Sequence, residues 1–193
     1  IGQPHVLKLT SRDPEPPPMD YVKASGGLFV DMTIHDFDMA RFVMGEIEEV
    51  YAQGSVLVEP EIGEAGDVDT AGVVLKFKSG AIGLIDNSRK ASYGYDQRLE
   101  VLGEKGKVEV SNPRETLTEL SDVEGSQKDP LLHFFTERYE EAYENEMEAF
   151  VKCIEKDEKV PVTGEDGRKA VVLADAAELS RKENRPVKLS EVD

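Results

Sequence analysis

Residues 25–45, SGGLFVDMTIHDFDMARFVMG, set three aspartates, one histidine and one arginine into an otherwise apolar stretch. Wound at about 100° per residue, Asp31, His35 and Asp38 fall within roughly 60° of one another. Phe29, Val30, Ile34, Phe37, Ala40, Phe42 and Met44 occupy most of the remaining surface, so little of such a helix can face water. A charge in that setting requires a partner or a task. A carboxylate one turn before a histidine orients the imidazole and raises its pKa toward neutrality, which suits a general base. The same spacing describes a core histidine satisfied by a carboxylate, and the residue types leave both readings open. Asp31 and His35 would also offer two ligands to a divalent ion, but a third is wanting. His5 and His133 stand far off without a ligand pattern, so no metal is expected. Asp38 and Arg41, at i and i+3, read as a structural ion pair locking the helix. Asp36, turned about 100° from His35, reads as a loop or interdomain contact.

The pattern formed by Gly26, Gly27, Asp31, His35, Asp36, Asp38, Arg41 and Gly45 resembles the signature of the inositol dehydrogenase and glucose–fructose oxidoreductase family. The likeness extends to TSRDPEPPP at 10–18, to GDVDTAGVVLKFKSGAIGLIDNSR at 66–89 and to YGYDQRLEVLGEKGKVEV at 93–110. It continues in the closing segment at 145–189. The resemblance implies a two-domain enzyme, with an amino-terminal Rossmann domain for the nicotinamide cofactor and a carboxy-terminal α+β substrate domain. This chain carries no G-x-G-x-x-G between a strand and a helix and no Glu-Lys-Pro. It opens at Ile1 with IGQP, which resembles the family's entry into the second domain. The expectation is therefore a single substrate-binding and oligomerisation domain over residues 1–193, without its Rossmann domain.

On the same likeness His35 is the expected acid/base and Asp31 its orienting partner, within reach of a substrate hydroxyl. Ser11, Arg12 and Asp13 stand where the family places pocket residues after its first strand. The family often has asparagine at the position of Asp13 and histidine near Ser11, and both departures bear on which polyol fits. Tyr93 and Tyr95 offer phenols to the substrate or, equally, rings to the sheet. The implied reaction oxidises a secondary hydroxyl of myo-inositol, or of a related cyclitol or sugar, to a ketone. NAD or NADP would serve the intact enzyme, and none is expected on this fragment. A stand-alone polyol-binding or oligomerisation module is the alternative.

Charge narrows the partners. Forty acidic against 23 basic side chains give a net charge of −17 over 193 residues, which argues against nucleic acid and anionic membranes. No apolar run approaches the ~20 residues that span a bilayer. The single Cys153 cannot form an internal disulfide, which fits a reducing cytoplasm.

The elements that must carry these residues follow from periodicity. Residues 5–11 alternate and end in the breaker loop 13–18. The signature helix runs from about 27 to 44, with Gly45 as its stop. Strand-like runs cover 49–58, 70–78, 81–89, 97–102 and 107–111, with short turns at 78–80 and 103–106 that make hairpins. Residues 112–130 are polar and read as an irregular excursion with room for a short strand. Two helices, 134–156 and one opening at Thr163, close the chain before a short edge strand at 187–189. The expected fold is α+β, a mainly antiparallel sheet with helices on one face. Its other face would pair with further copies as a dimer or tetramer, since apolar residues fall on both sides of the central hairpin.

Overall fold

The computed structural model describes residues 1–192. The expected strands form β1 (Pro4–Arg12), β2 (Ile47–Ser55), β3 (Thr70–Phe77), β4 (Ile82–Ser88), β5 (Asp96–Gly103) and β6 (Gly106–Val110). With the two-residue β9 (Val187–Lys188), they make one seven-stranded sheet of order β6-β5-β1-β4-β3-β2-β9. The turns at 78–80 and 103–106 join β3 to β4 and β5 to β6 as antiparallel hairpins. β1 departs from a simple meander. It inserts between β5 and β4 and runs parallel to β4, with Leu9 opposite Ile85 and Ser11 opposite Asn87. Residues 112–130, read as irregular, include a small exposed ribbon of β7 (Glu119–Asp122) and β8 (Gly125–Lys128).

Alternation divides the sheet into two faces. Leu7, Leu9, Val73, Leu75, Phe77 and Ile85 point into the core, while Val74, Ile82, Leu84 and Leu102 remain exposed on the other face. The covered face receives the signature helix and α6 (Gly164–Glu183). The first is a short π-helical turn, Phe29–Thr33, continuing directly into α2 (Ile34–Met44). It buries Phe29, Met32, Phe37 and Ala40. α6 buries Leu173 together with Ala170, Ala174, Ala176 and Ala177, and the small alanines let the helix pack close to β2. Thr163 caps it: its hydroxyl accepts from Asp166 N–H at 3.3 Å, and its own N–H donates to the Asp166 carboxylate at 2.9 Å.

Arg41 ties α2 to the start of α6. It lies 3.8 Å from Asp38, 3.2 Å from Glu46 and 3.5 Å from Asp166, so the ion pair read from spacing is one arm of three. The run 134–156 divides at Tyr139 into α4 (Phe135–Arg138) and α5 (Glu140–Lys156). α5 has the expected apolar recurrence but no buried residue. Of the two closing helices, only α6 covers the sheet. Among the described residues, no helix is long and apolar enough to cross a membrane.

Candidate active site

The parallel pairing of β1 with β4 decides where the chemistry collects. Both strands end at the same level, Arg12 opposite Ser88. Asp13 N–H then donates to the Ser88 carbonyl at 3.0 Å, and Ala91 N–H to that of Asp13 at 2.6 Å. Side chains of inward parity, Ser11 on β1 and Asn87 on β4, therefore lie under the signature helix, and Asp13 and Arg89 follow just past the strand ends. The helix enters this region over Gly26 and Gly27, at φ +89° and +93°, a conformation that side chains with Cβ rarely adopt. This is a local reason for the paired glycines of the signature.

Asp31 lies within the π-helical turn. One of its carboxylate oxygens accepts from the Tyr21 hydroxyl at 2.6 Å, and the other from Arg89 Nη1 at 2.8 Å. Arg89 is 1% exposed and stands 3.8 Å from Asp67, whose second oxygen accepts from Leu28 N–H at 3.0 Å. Asp13 is within the field of both Arg89 and Asp31. Burial pushes its pKa up to about 6, against the pull of Arg89. His35 is exposed and makes no hydrogen bond among the described residues. The expected Asp31–His35 hydrogen bond is not made, because both oxygens of Asp31 face other donors. The core-histidine reading fails for the same reason: this imidazole is neither buried nor satisfied.

Asp36 overturns its reading as a loop or interdomain contact. It is 5% exposed and accepts from Ser11 Oγ at 2.5 Å and from Asn87 Nδ2 at 2.7 Å. Thr33 Oγ1 completes the chain by donating to Asn87 Oδ1 at 2.7 Å. Burial pushes the Asp36 carboxyl up to about 6, only partly opposed by its two donors. This network joins the signature helix to β1 and β4 through neutral groups.

The expected pocket residues are dispersed. Ser11 is buried and engaged by Asp36. Arg12 has outward parity and pairs with Asp86 and with the Tyr93 hydroxyl, which itself donates to Asp96 at 2.6 Å. Tyr95 packs edge-on against Phe134 and Tyr139, at centroid separations of 5.6 and 6.4 Å, and its hydroxyl pKa is pushed up by burial. Of the seven candidates, Asp13 and Asp31 stand together in the field of Arg89, and His35 lies one turn beyond Asp31 on the same helix. Arg89, Asp67, Tyr21 and Asn87 are the participants that sequence reasoning passed over or ranked low. The signal for two of them was available: Asn87 and Arg89 share the parity of Ile85, so a buried strand face ends in an amide and a guanidinium.

The glycine turn at the start of the signature helix is engaged within the chain. The glycine turn that opens the signature helix presents Leu28 N–H to the Asp67 carboxylate, and a Cβ at Gly27 would meet that oxygen at 3.1 Å. A pyrophosphate there would face an acid.

A mixed sheet with one helix-covered face, and an acidic constellation at the end of its parallel strand pair, define an α+β domain with a candidate site on its covered side. Residues 1–189 match the family described as the oxidoreductase family, C-terminal alpha/beta domain, and the chain belongs to it. The myo-inositol 2-dehydrogenase of Thermotoga maritima is 59% identical over 193 residues, covering 100% of this chain and 58% of that protein. The inositol 2-dehydrogenase of Rhizobium meliloti is 49% identical over 191 residues, covering 98% of this chain and 58% of that protein. Among solved structures, scyllo-inositol dehydrogenase from Lactobacillus casei, with bound NAD(H) and scyllo-inositol, aligns with a TM-score of 0.89 at 30% identity, covering 98% of this chain and 58% of that one. The chain thus spans about 58% of the length of these relatives.

Proposed function

We propose that this chain is the substrate-side domain of an NAD(P)-dependent polyol dehydrogenase, acting with a Rossmann domain outside it. The enzyme oxidises a secondary hydroxyl of myo-inositol, or of a related cyclitol or sugar, to a ketone. The observation that carries this reading is an Asp31 carboxylate held by Arg89 and Tyr21, with an unbonded, exposed His35 one turn along the same helix. A held carboxylate accepts a hydrogen bond from one hydroxyl of a polyol and fixes its orientation. An imidazole with no protein partner has a free ring nitrogen to take the proton of the reacting hydroxyl. The hydride acceptor is the nicotinamide, supplied by the other domain. The names of the relatives support the substrate class, and the acidic surface suits a neutral polyol in the cytoplasm rather than nucleic acid or membrane.

In the intact enzyme, His35→Ala is expected to lower turnover of myo-inositol by about 10²–10⁴, the usual worth of a general base, with the melting temperature unchanged. A His35→Ala enzyme with full turnover would refute the assignment. The open sheet face, with Val74, Ile82 and Leu84 exposed, is the proposed homo-oligomer surface. Light scattering at moderate salt should give a dimer or tetramer, and a monomer at high micromolar concentration would exclude that use of the face.

A further inference from the structure

Arg89 leaves β4 at inward parity and faces Asp31 and Asp67, the second of which also lies within electrostatic reach of Arg181. Its guanidinium is almost completely buried, yet only Nη1 is hydrogen-bonded; Nε and Nη2 have no partner among the described residues, nor does Asp67 Oδ2. Such incomplete pairing is unfavourable for a guanidinium removed from water, and a group kept that way is normally constrained by something other than stability. The charged and titratable groups facing it come from four segments. Asp13 follows β1, Tyr21 lies on α1 (Met19–Ala24), Asp31 on the π-helical turn, and Asp67 precedes β3. Tyr95 lies within electrostatic reach of Asp13. Asp31 and Asp67, from separate parts of the chain, therefore pair with one buried cation, and Asp13 lies within its field. The backbone of Arg89 is fixed as well, because its N–H donates to the Asp69 carbonyl at 2.8 Å.

We propose that Arg89 is the positioning residue of this site, fixing the Asp31 carboxylate toward substrate and joining it electrostatically to Asp13. This deepens the proposed function and rests on it for the turnover arm of the test. On this view Asp31 acts beside His35 rather than through it. The guanidinium takes the oxygen that an orienting carboxylate would have offered to the imidazole. The planar fork gives Nη1 to Asp31 and turns Nη2 toward Asp67, a fixed geometry that the flexible ammonium of lysine does not reproduce.

The test joins two measurements. In the 193-residue chain, the titration of the Asp13 carboxyl is followed by ¹³C NMR. It should centre near pH 6 in the wild type and move upward in Arg89→Gln, which removes the charge that opposes burial. In Arg89→Lys, which keeps a charge, it should stay within about half a unit. In the intact enzyme, Arg89→Lys should lose about 10²-fold in kcat/KM through misplacement of Asp31, with kcat and KM both affected. An Asp13 midpoint unmoved in Arg89→Gln would overturn the electrostatic link. Should that variant not fold, wild-type kcat/KM in Arg89→Lys would overturn the proposal by itself. Failure of the dehydrogenase reading is distinguished by the wild-type intact enzyme, whose lack of NAD(P)-dependent turnover of polyols would leave the Asp13 titration to decide.

Discussion

Asp31 and Asp36 occupy one helix, five positions apart, and the fold surrounds them in opposite ways. Asp31 meets a cation and a phenol near the surface. Asp36 meets only a hydroxyl and an amide in the interior. The cation compensates Asp31 for leaving water, so its carboxylate can be held in place and still be offered outward. Neutral donors compensate Asp36 incompletely, and its pKa rises to about 6 as a result. The same side chain thus serves presentation at one point and attachment at the other. What separates them is that Asn87, the last inward residue of β4, meets Asp36, while Arg89, two residues on and just past the strand end, meets Asp31.

The largest expected effect of this difference is on stability against pH. The folded pKa of Asp36, about 6, lies above the unfolded value of about 3.9. Between these values the folded chain holds a proton that the unfolded chain has released, so the stability present below about pH 4 is lost as pH rises through about 6. The shift corresponds to roughly 3 kcal/mol. Asp13 titrates in the same window and adds to the slope. Denaturant unfolding at intervals between pH 4 and 7 should show stability falling with pH, and Asp36→Asn should flatten about half of that fall, leaving the Asp13 share. An unchanged slope in Asp36→Asn would mean that Asp36 is not the neutral-donor carboxyl described here.

Much of this architecture was legible in the chain because it is local. Alternation located β3 and β4 to within a residue, and the Thr163 capping box announced α6. Gly26, Gly27 and Gly45 marked the bounds of the signature helix. What could not be read was non-local pairing. The insertion of β1 beside β4 connects segments more than seventy residues apart, and no periodicity records it. Arg89 and Asp31 are 58 residues apart for the same reason, so spacing pointed to the neighbouring His35 as the partner of Asp31. α5 gives the converse lesson. Tyr143, Met147, Phe150, Val151 and Ile154 recur at helical spacing and all remain exposed, since amphipathic pattern specifies a helix and a face but not what covers it.

Ser11→Ala tests the Asp36 side of the comparison with a smaller change. It removes one of two donors to a buried carboxylate, which should destabilise the chain by about 1–2 kcal/mol at pH 8. The Ser11 hydrogen bond lowers the Asp36 pKa, so its loss moves the midpoint above that of the wild type. The destabilisation should therefore be larger at pH 8, where the charge must be maintained, than at pH 5, where Asp36 is protonated. Thermal melts at the two pH values check this, and equal losses at both would count against an ionisable Asp36.

Tyr21→Phe probes the Asp31 side and should have the smallest effect. Tyr21 is 52% exposed, and its hydroxyl contributes one hydrogen bond to a carboxylate that Arg89 also holds. Water can replace an exposed donor, so the loss of stability should stay below about 1 kcal/mol. In the intact enzyme the turnover of myo-inositol should fall by less than about tenfold, since the stronger of the two contacts to Asp31 remains. The contrast with Ser11→Ala carries the point. Each substitution deletes one hydroxyl donor to an aspartate of the same helix, yet the buried site should lose stability with a pH signature, and the rim site should lose little and show none. A Tyr21→Phe chain destabilised as much as Ser11→Ala would mean that Asp31 depends on its phenol as Asp36 depends on its serine, and the separation between a presented and an attaching carboxylate would not hold.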